Sequence, residues 1–293
     1  MHKKNIKVLF AASEMALLAK VGGLGDVIES LPKALHAHGV DVRIIMPRYR
    51  IISKTSLRRL SSVTVKVGSC RTETVTVYER FIPHTRIKIY CLDNKRYLSG
   101  GGIYFDRSAF VSQFQEIERF LFFSLAVRSF LDAGIFSPDV VHCHDWHTGY
   151  LVRLCKKLDP AIKTVFTIHN LANQGKWSAK DVMRFLPKTG IATNDFFISK
   201  KGSVNLMAEG IAHCDVLTTV SSTYAKEITT AEFGEGLEGL IKKRKHSFFG
   251  IVNGIDTDFF GPEHNPYITR YSAKSLSRKT INKALLQKKF HLT

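Results

Sequence analysis

Cysteine is scarce in this 293-residue chain, and what there is forms no pattern: Cys70, Cys91, Cys143, Cys155 and Cys214 are odd in number, widely spaced and without a C-x-x-C pair. That argues against a disulfide framework or a thiolate metal site, and for a reducing, cytoplasmic compartment. Long apolar runs are missing too. The longest, Phe120 to Val127, is closed by Arg119 and Arg128 and falls far short of the ~20 residues of a membrane span. The run Val8 to Ala12, behind the basic Met1 to Lys4, is too short for the core of a signal peptide. No membrane partner is therefore expected. With only 20 Gly and 8 Pro, collagen-like and low-complexity classes fail.

Acidic residues are the other shortage: 25 Asp plus Glu stand against 43 Lys plus Arg, a net charge of +18. Such a balance ordinarily puts nucleic acid or an anionic surface first among partners. The excess sits at the two ends, however. Residues 1–59 hold 11 basic and 4 acidic residues, and residues 270–293 hold 7 basic and none acidic, while the middle is nearly balanced. No basic–aromatic alternation, zinc-finger spacing or helix-turn-helix signature accompanies the charge, so no nucleic-acid partner is expected. What remains, 44% hydrophobic and 23% charged residues, is a globular composition able to bury a sizeable core.

The periodicity alternates strand and helix. Ile6 to Ser13 is a continuous apolar run ending in small residues, as in a strand buried on both faces. A glycine loop follows, then helical spacing over Leu24 to His38, stopped by Gly39, and a strand over Val40 to Met46. Three β-branched runs between Ser61 and Leu92 read as a β-meander inserted into this pattern. A long helix is expected over Ser108 to Leu131. Beyond Pro138 the alternation resumes, with strands over Val140 to Cys143, Lys163 to His169, Val216 to Val220 and Phe248 to Val252. Helices are expected between them over Trp146 to Leu158, Val204 to His213, Ser222 to Thr229 and Leu237 to Lys243. The class is α/β, a Rossmann-like doubly wound parallel sheet with ligands at the carboxyl ends of its strands.

Four constellations fall at such ends. Lys20-Val21-Gly22-Gly23-Leu24-Gly25-Asp26 lies between a strand and a helix, where glycines let a ligand approach the backbone and the helix N-terminus favours phosphate. It matches neither a dinucleotide fingerprint nor a Walker A loop, and a plain tight turn is the competing reading. His142-Cys143-His144-Asp145-Trp146-His147 invites a metal, but no carboxylate frame completes a site, and neither metal nor cofactor is expected. Asp145 is in position to cap the next helix. With Trp146 it also suits a sugar, carboxylate to hydroxyls and indole to the apolar face. Thr167-Ile168-His169-Asn170 ends another strand, and Asn253-Gly254 ends a fourth or simply turns.

Taken in order, KVGGLGDV at 20–27, HCHDWH at 142–147, TIHNLANQG at 167–175, VNLMAEGI at 204–211, LTTVSSTYAKEI at 217–228, GEGLEGLI at 234–241 and GIVNGID at 250–256 resemble the bacterial glycogen synthases and plastid starch synthases. The resemblance implies the N-terminal half of a GT-B glycosyltransferase. Residues 1–262 would form the catalytic-type domain, and residues 263–293 a basic interdomain linker and helix. It implies glucosyl transfer from ADP-glucose to the non-reducing end of an α-1,4-glucan or glycogen, with retention and without a protein nucleophile. Lys20, Gly22 and Gly23 would lie near the donor diphosphate, supported by Asp26. Asp145, His169 and Asn170 would surround the glucose, and Asn253 would reach the cleft. The family's usual Pro, Tyr and Trp are replaced by Leu17, Asn173 and Phe260. The family's second domain has no counterpart after Thr293, so the chain alone is expected to be impaired unless a separate chain supplies it. The alternative is a non-catalytic glucan-binding module of the same descent.

Overall fold

The computed structural model describes residues 5–100, 102–104, 113–187, 196, 197, 199 and 201–292. Eleven strands and nine α-helices are found among them. Nine strands make one sheet, in the order β11-β10-β7-β6-β1-β2-β5-β4-β3. Its parallel part is β1 (Lys7–Ala11), β2 (Asp41–Pro47), β5 (Lys88–Asp93), β6 (Val140–His144), β7 (Lys163–Ile168), β10 (Val216–Thr219) and β11 (Phe248–Gly250).

The expected β-meander is there, but it is continuous with the main sheet. β5 pairs parallel with β2, and β4 (Arg71–Phe81) and β3 (Arg58–Val67) extend the edge antiparallel. The period of two explains why β5 can do both. Its residues are buried from Ile89 to Asp93, whereas β3 and β4 alternate exposed and buried positions, as an edge solvated on one face must.

Each central strand divides its side chains between two cores. From β1, Leu9 and Ala11 join the layer of α2 (Gln113–Asp132), α3 (Gly149–Leu158) and α5 (Leu206–His213). Val8, Phe10 and Ala12 join the opposite layer with Leu24 and Ile28 of α1 (Gly23–Ala37). Burying such side chains at roughly 25 cal/mol per Å² of apolar surface is the main force holding the sheet between its helices. α3 and α5 approach closely at Gly149, where a Cβ would meet the Leu206 carbonyl oxygen at 2.0 Å.

Some local expectations shift. The helix expected over Trp146 to Leu158 is a 3₁₀ turn, Trp146–Thr148, followed by α3. Val204 belongs to the short strand β9 (Ser203–Asn205), paired antiparallel with β8 (Lys176–Ser178), and Asn205 then caps α5 through the Ala208 N–H at 3.0 Å. The start of the helix expected from Ser108 lies outside the described residues. The remaining helices are α4 (Ala179–Phe185), α6 (Ser222–Glu227), α7 (Glu238–Lys243), α8 (Thr257–Phe260) and α9 (Lys279–Phe290).

Contacts divide the chain into two compact units, Met1–Asn253 and Gly254–Thr293. The first contains the sheet and both cores. In the second, α8, a 3₁₀ segment Ala273–Arg278 and α9 follow one another, and no described residue is buried. No helix among the described residues is long and apolar enough to cross a membrane.

Candidate active site

The chain leaves β1 toward β2 on one side and returns to β6 on the other, so the strand order reverses between β1 and β6. Crevices form at such switch points, outside the carboxyl ends of the strands. Ser13 and Glu14 follow β1 there, Asp145 follows β6, and His169 and Asn170 follow β7.

One wall is the β1–α1 loop. Glu14 is buried, at 3% exposure, and its carboxylate organises the turn. Oε2 accepts the Val21 N–H at 2.6 Å and the Gly22 N–H at 2.8 Å, and Oε1 accepts the Tyr104 hydroxyl at 2.8 Å. The Tyr104 hydroxyl also lies 2.8 Å from Ser13 Oγ. Two of the loop's N–H groups are thus already engaged. The donors left to a ligand are those of the first turn of α1, from Gly23 onward, which have no acceptor inside a helix.

Gly25 is needed for packing, since a Cβ there would lie 3.0 Å from Lys20 and 3.3 Å from the Ala16 nitrogen. Gly22 and Gly23 differ. Gly22 is extended (φ −129°), a Cβ on it would approach only Glu14 at 3.7 Å, and one on Gly23 would meet nothing within 4 Å. The tight-turn reading therefore explains neither glycine. Lys20 and Asp26 face each other across the loop at 2.7 Å, each roughly a third exposed (40% and 33%).

The other wall is built from imidazoles and one strained aspartate. Asp145 has φ +54° and ψ −178°, a conformation that costs a non-glycine residue about 1–3 kcal/mol and collects at functional sites. The capping expected of it does not occur: its side chain makes no cap hydrogen bond to the following helical turn. The twisted backbone turns the carboxylate toward β7, where Oδ1 accepts the His169 N–H at 2.7 Å and the Asn170 N–H at 3.3 Å. Burial pushes this carboxyl up to about 7, against those two hydrogen bonds and with the nearby charge of Glu14 adding to the rise.

Burial holds the imidazoles neutral. It lowers His142 and His147 to about 3 and His169 to about 4, and His144 falls well below its ordinary value. His142 and His144, two residues apart on one strand face, stack with ring centres 4.2 Å apart. His144 Nδ1 lies 3.0 Å from His169 Nε2, and His142 Nε2 lies 2.7 Å from Thr167 Oγ1, which in turn meets Thr218 Oγ1 at 2.7 Å. His169 thus offers hydrogen bonding without charge. Among the described residues no group of three His, Cys, Asp or Glu is arranged to hold a metal ion.

Trp146 is only 6% exposed. Its ring lies tilted against His147 with centres 4.2 Å apart and meets Phe120 edge-on at 5.3 Å, and a Cβ on Gly175 would press on it. The indole is therefore a packed wall, with little face left for a sugar. Asn253, the last residue of the first unit, is exposed after β11. The structure thus brings Asp145, His169 and Asn170 together, and gathers Lys20, Gly22, Gly23 and Asp26 on the facing loop.

Sequence reasoning passed over Glu14 and Tyr104, and gave His144 and Thr167, though they fall within its constellations, no part in orienting His169 and His142. Glu14 stands directly after an apolar strand and ahead of the glycine loop, the same position that singled out Asp145 after β6, and that signal could have found it.

A doubly wound sheet with a glycine loop opening α1, and neutral, hydrogen-bonded side chains gathered at the switch point, defines a Rossmann-like α/β domain with its candidate site at the carboxyl ends of the strands. The starch synthase catalytic domain family matches residues 7–243. The chain is 38% identical to a glycogen synthase of Geobacillus thermodenitrificans over 98% of its own length and 59% of that protein's. The same identity holds with a glycogen synthase of Clostridium novyi, over 98% of this chain and 60% of that one. Among solved structures, the catalytic domain of starch synthase IV from Arabidopsis thaliana, bound to ADP and acarbose, superposes with a TM-score of 0.85 at 30% identity, over 99% of this chain and 60% of that one. The chain belongs to the starch synthase catalytic domain family, and it spans about three fifths of the length of the curated relatives it matches.

Proposed function

We propose that this chain supplies the N-terminal half of a glycogen (starch) synthase that takes glucose from ADP-glucose and adds it to the non-reducing end of an α-1,4-glucan with retention of configuration. The observation that carries this reading is the pair Gly22 and Gly23. Neither a positive φ nor a neighbouring protein atom requires a glycine at either position, so the open space over them fits a ligand that comes close to the backbone at a helix N-terminus. The Arabidopsis neighbour carries ADP, whose diphosphate is an anion suited to such a terminus.

In this reading the bond between the sugar's anomeric carbon and the diphosphate oxygen breaks, and ADP leaves with the bonding electrons. The first-turn N–H groups of α1 and the Lys20 ammonium stabilise the charge that develops there. The acceptor hydroxyl forms the new bond on the same face and passes its proton to the departing diphosphate oxygen. Asp145 fixes the β7 terminus so that His169 and Asn170 present hydrogen bonds to glucose hydroxyls, and the neutral His169 does so without repelling a positively charged transition state. Trp146 shapes the wall from behind. Closing over the nucleotide and admitting the glucan would fall to the part of the relatives' length that these residues do not span.

The test compares two glycines in the full chain. Gly23→Ala should leave the melting temperature unchanged and weaken ADP binding at least about tenfold, the loss expected when backbone contacts to phosphate are blocked. Gly175→Ala, at φ +59° and against Trp146, should instead lower the melting temperature. Absence of ADP binding by the folded wild-type chain, or unchanged binding by Gly23→Ala, overturns the reading. Retention of the chain in a glycogen-containing gel without any ADP binding would favour the glucan-binding module.

A further inference from the structure

Beyond the antiparallel flank of the sheet, four chain segments line an open cavity of about 550 Å³, within the size range of small-molecule sites. They are the β3–β4 turn, the stretch just after β5, α2 and α4, and none of the lining residues belongs to the candidate active site. The floor is fixed. Gly68, at φ +59°, donates its N–H to the Phe185 carbonyl at 2.7 Å and so ties the turn to the end of α4. Tyr97, 7% exposed, stacks on Phe122 at 4.4 Å and receives Phe185 edge-on at 5.6 Å, while its hydroxyl accepts from Arg71 at 3.1 Å.

Around this apolar floor stand Arg71, Arg96 and Arg184, with Glu118 and Asp181 between them. Arg96 also lies over the Tyr97 ring at 5.5 Å. Apart from the Arg71–Tyr97 bond, no side-chain hydrogen bond or ion pair among the described residues engages these five charges. They nonetheless feel one another across the opening. Burial pushes the Glu118 carboxyl up, although Arg96, Arg184 and Arg71 all pull it down. A guanidinium fork matches phosphate oxygens in pairs, and unpaired carboxylates accept from hydroxyls. A bare polyanion would be opposed by Glu118 and Asp181. A ligand with one anionic group and several hydroxyls meets both requirements.

We propose that this cavity binds a monophosphorylated sugar, with the phosphate held by Arg96 and Arg184 and the hydroxyls by Glu118 and Asp181. The site stands independently of the reading of the β1–α1 loop.

The experiment titrates glucose 1-phosphate, inorganic phosphate and maltotriose into the full chain at low salt, by calorimetry. Glucose 1-phosphate should bind about tenfold or more tighter than inorganic phosphate, maltotriose should not bind, and saturating ADP should change nothing. R96A and R184A should each weaken glucose 1-phosphate about tenfold, the loss of one charge-assisted pair. E118Q should keep phosphate binding and erase the preference for the sugar ester. Thermal melts check folding, and R96A, on an exposed segment, decides the matter if R184A does not fold. No binding by the folded wild type, binding of maltotriose alone, competition by ADP, or affinity unchanged in the arginine variants would each overturn the proposal.

Discussion

The two walls of the switch-point crevice are built on opposite electrostatic plans. The β1–α1 loop is held by acidic and basic side chains: Glu14 gathers two N–H groups and a phenol, and Lys20 pairs with Asp26 at the partly exposed rim. The β6 and β7 ends are dry. Four imidazoles stay neutral there, His144 and His147 buried and His142 and His169 half-buried, and the carboxylate of Asp145 is driven up to about 7. In the proposed reaction the charged wall would face the departing diphosphate and the neutral wall the sugar, a division by charge suited to a reaction that separates those two parts.

Acid should break this comparison with the largest effect. An unfolded imidazole takes its proton near pH 6.5, whereas the folded His142, His147 and His169 do so only near pH 3–4. The folded state therefore binds fewer protons, and its stability, complete above pH 6.5, is lost as pH falls toward 4. His144 shifts in the same direction, so several groups lower the stability together as pH falls. Asp145 works in the opposite direction, gaining stability as pH falls from about 7 toward its ordinary value, but one group does not offset four. Thermal melts should fall steeply between these limits, and His147→Phe, which removes one titrating ring, should move the midpoint to lower pH. A melting temperature flat down to pH 4 would show that the neutral wall is wet.

The two carboxylates should come next. Glu14→Ala strands the N–H groups of Val21 and Gly22 and takes one partner from the Tyr104 hydroxyl, at a cost of about 3 kcal/mol. Glu14→Gln keeps one acceptor and should cost roughly half of that. Asp145→Asn should be nearly neutral for stability, because an amide oxygen can accept the same two N–H groups, asparagine tolerates a positive φ, and no buried charge remains to be penalised. Denaturant titrations of the three variants separate the walls. Equal losses in Glu14→Gln and Asp145→Asn would remove the distinction between them.

The alternation of strand and helix was legible because an apolar run such as Ile6 to Ser13 has only one environment to go to, and the glycine loop because its residues have few other uses. The site was legible only in part. That Asp145 takes φ +54° and turns away from its helix follows from the register of β6 against β7, a long-range pairing that local propensity does not carry. Tyr104 reaches Glu14 across ninety residues of chain, and the depth of Trp146 depends on Phe120 and Gly175. The attachment of β5 to β2 was hidden for the same reason: a β-branched run declares a strand, not its neighbour.

The smallest effect on stability, at the rim of the charged wall, tests how that wall would work. The Lys20–Asp26 pair lies at 2.7 Å but is more than a third exposed on the lysine side, so a double-mutant cycle should give a coupling of only ~0.5 kcal/mol, vanishing at high salt. Binding should not follow stability. If Lys20 serves the diphosphate it must leave Asp26 to do so, and the Asp26 carboxylate, in the first turn of α1, then faces the same anion as a like charge. Lys20→Ala should weaken ADP about tenfold, and Asp26→Asn should strengthen it about threefold, both differences shrinking with salt. A fall in ADP affinity in Asp26→Asn, with the melting temperature unchanged, would mean that the pair is the bound arrangement of Lys20: Asp26 would then aim the ammonium at the ligand instead of holding it away.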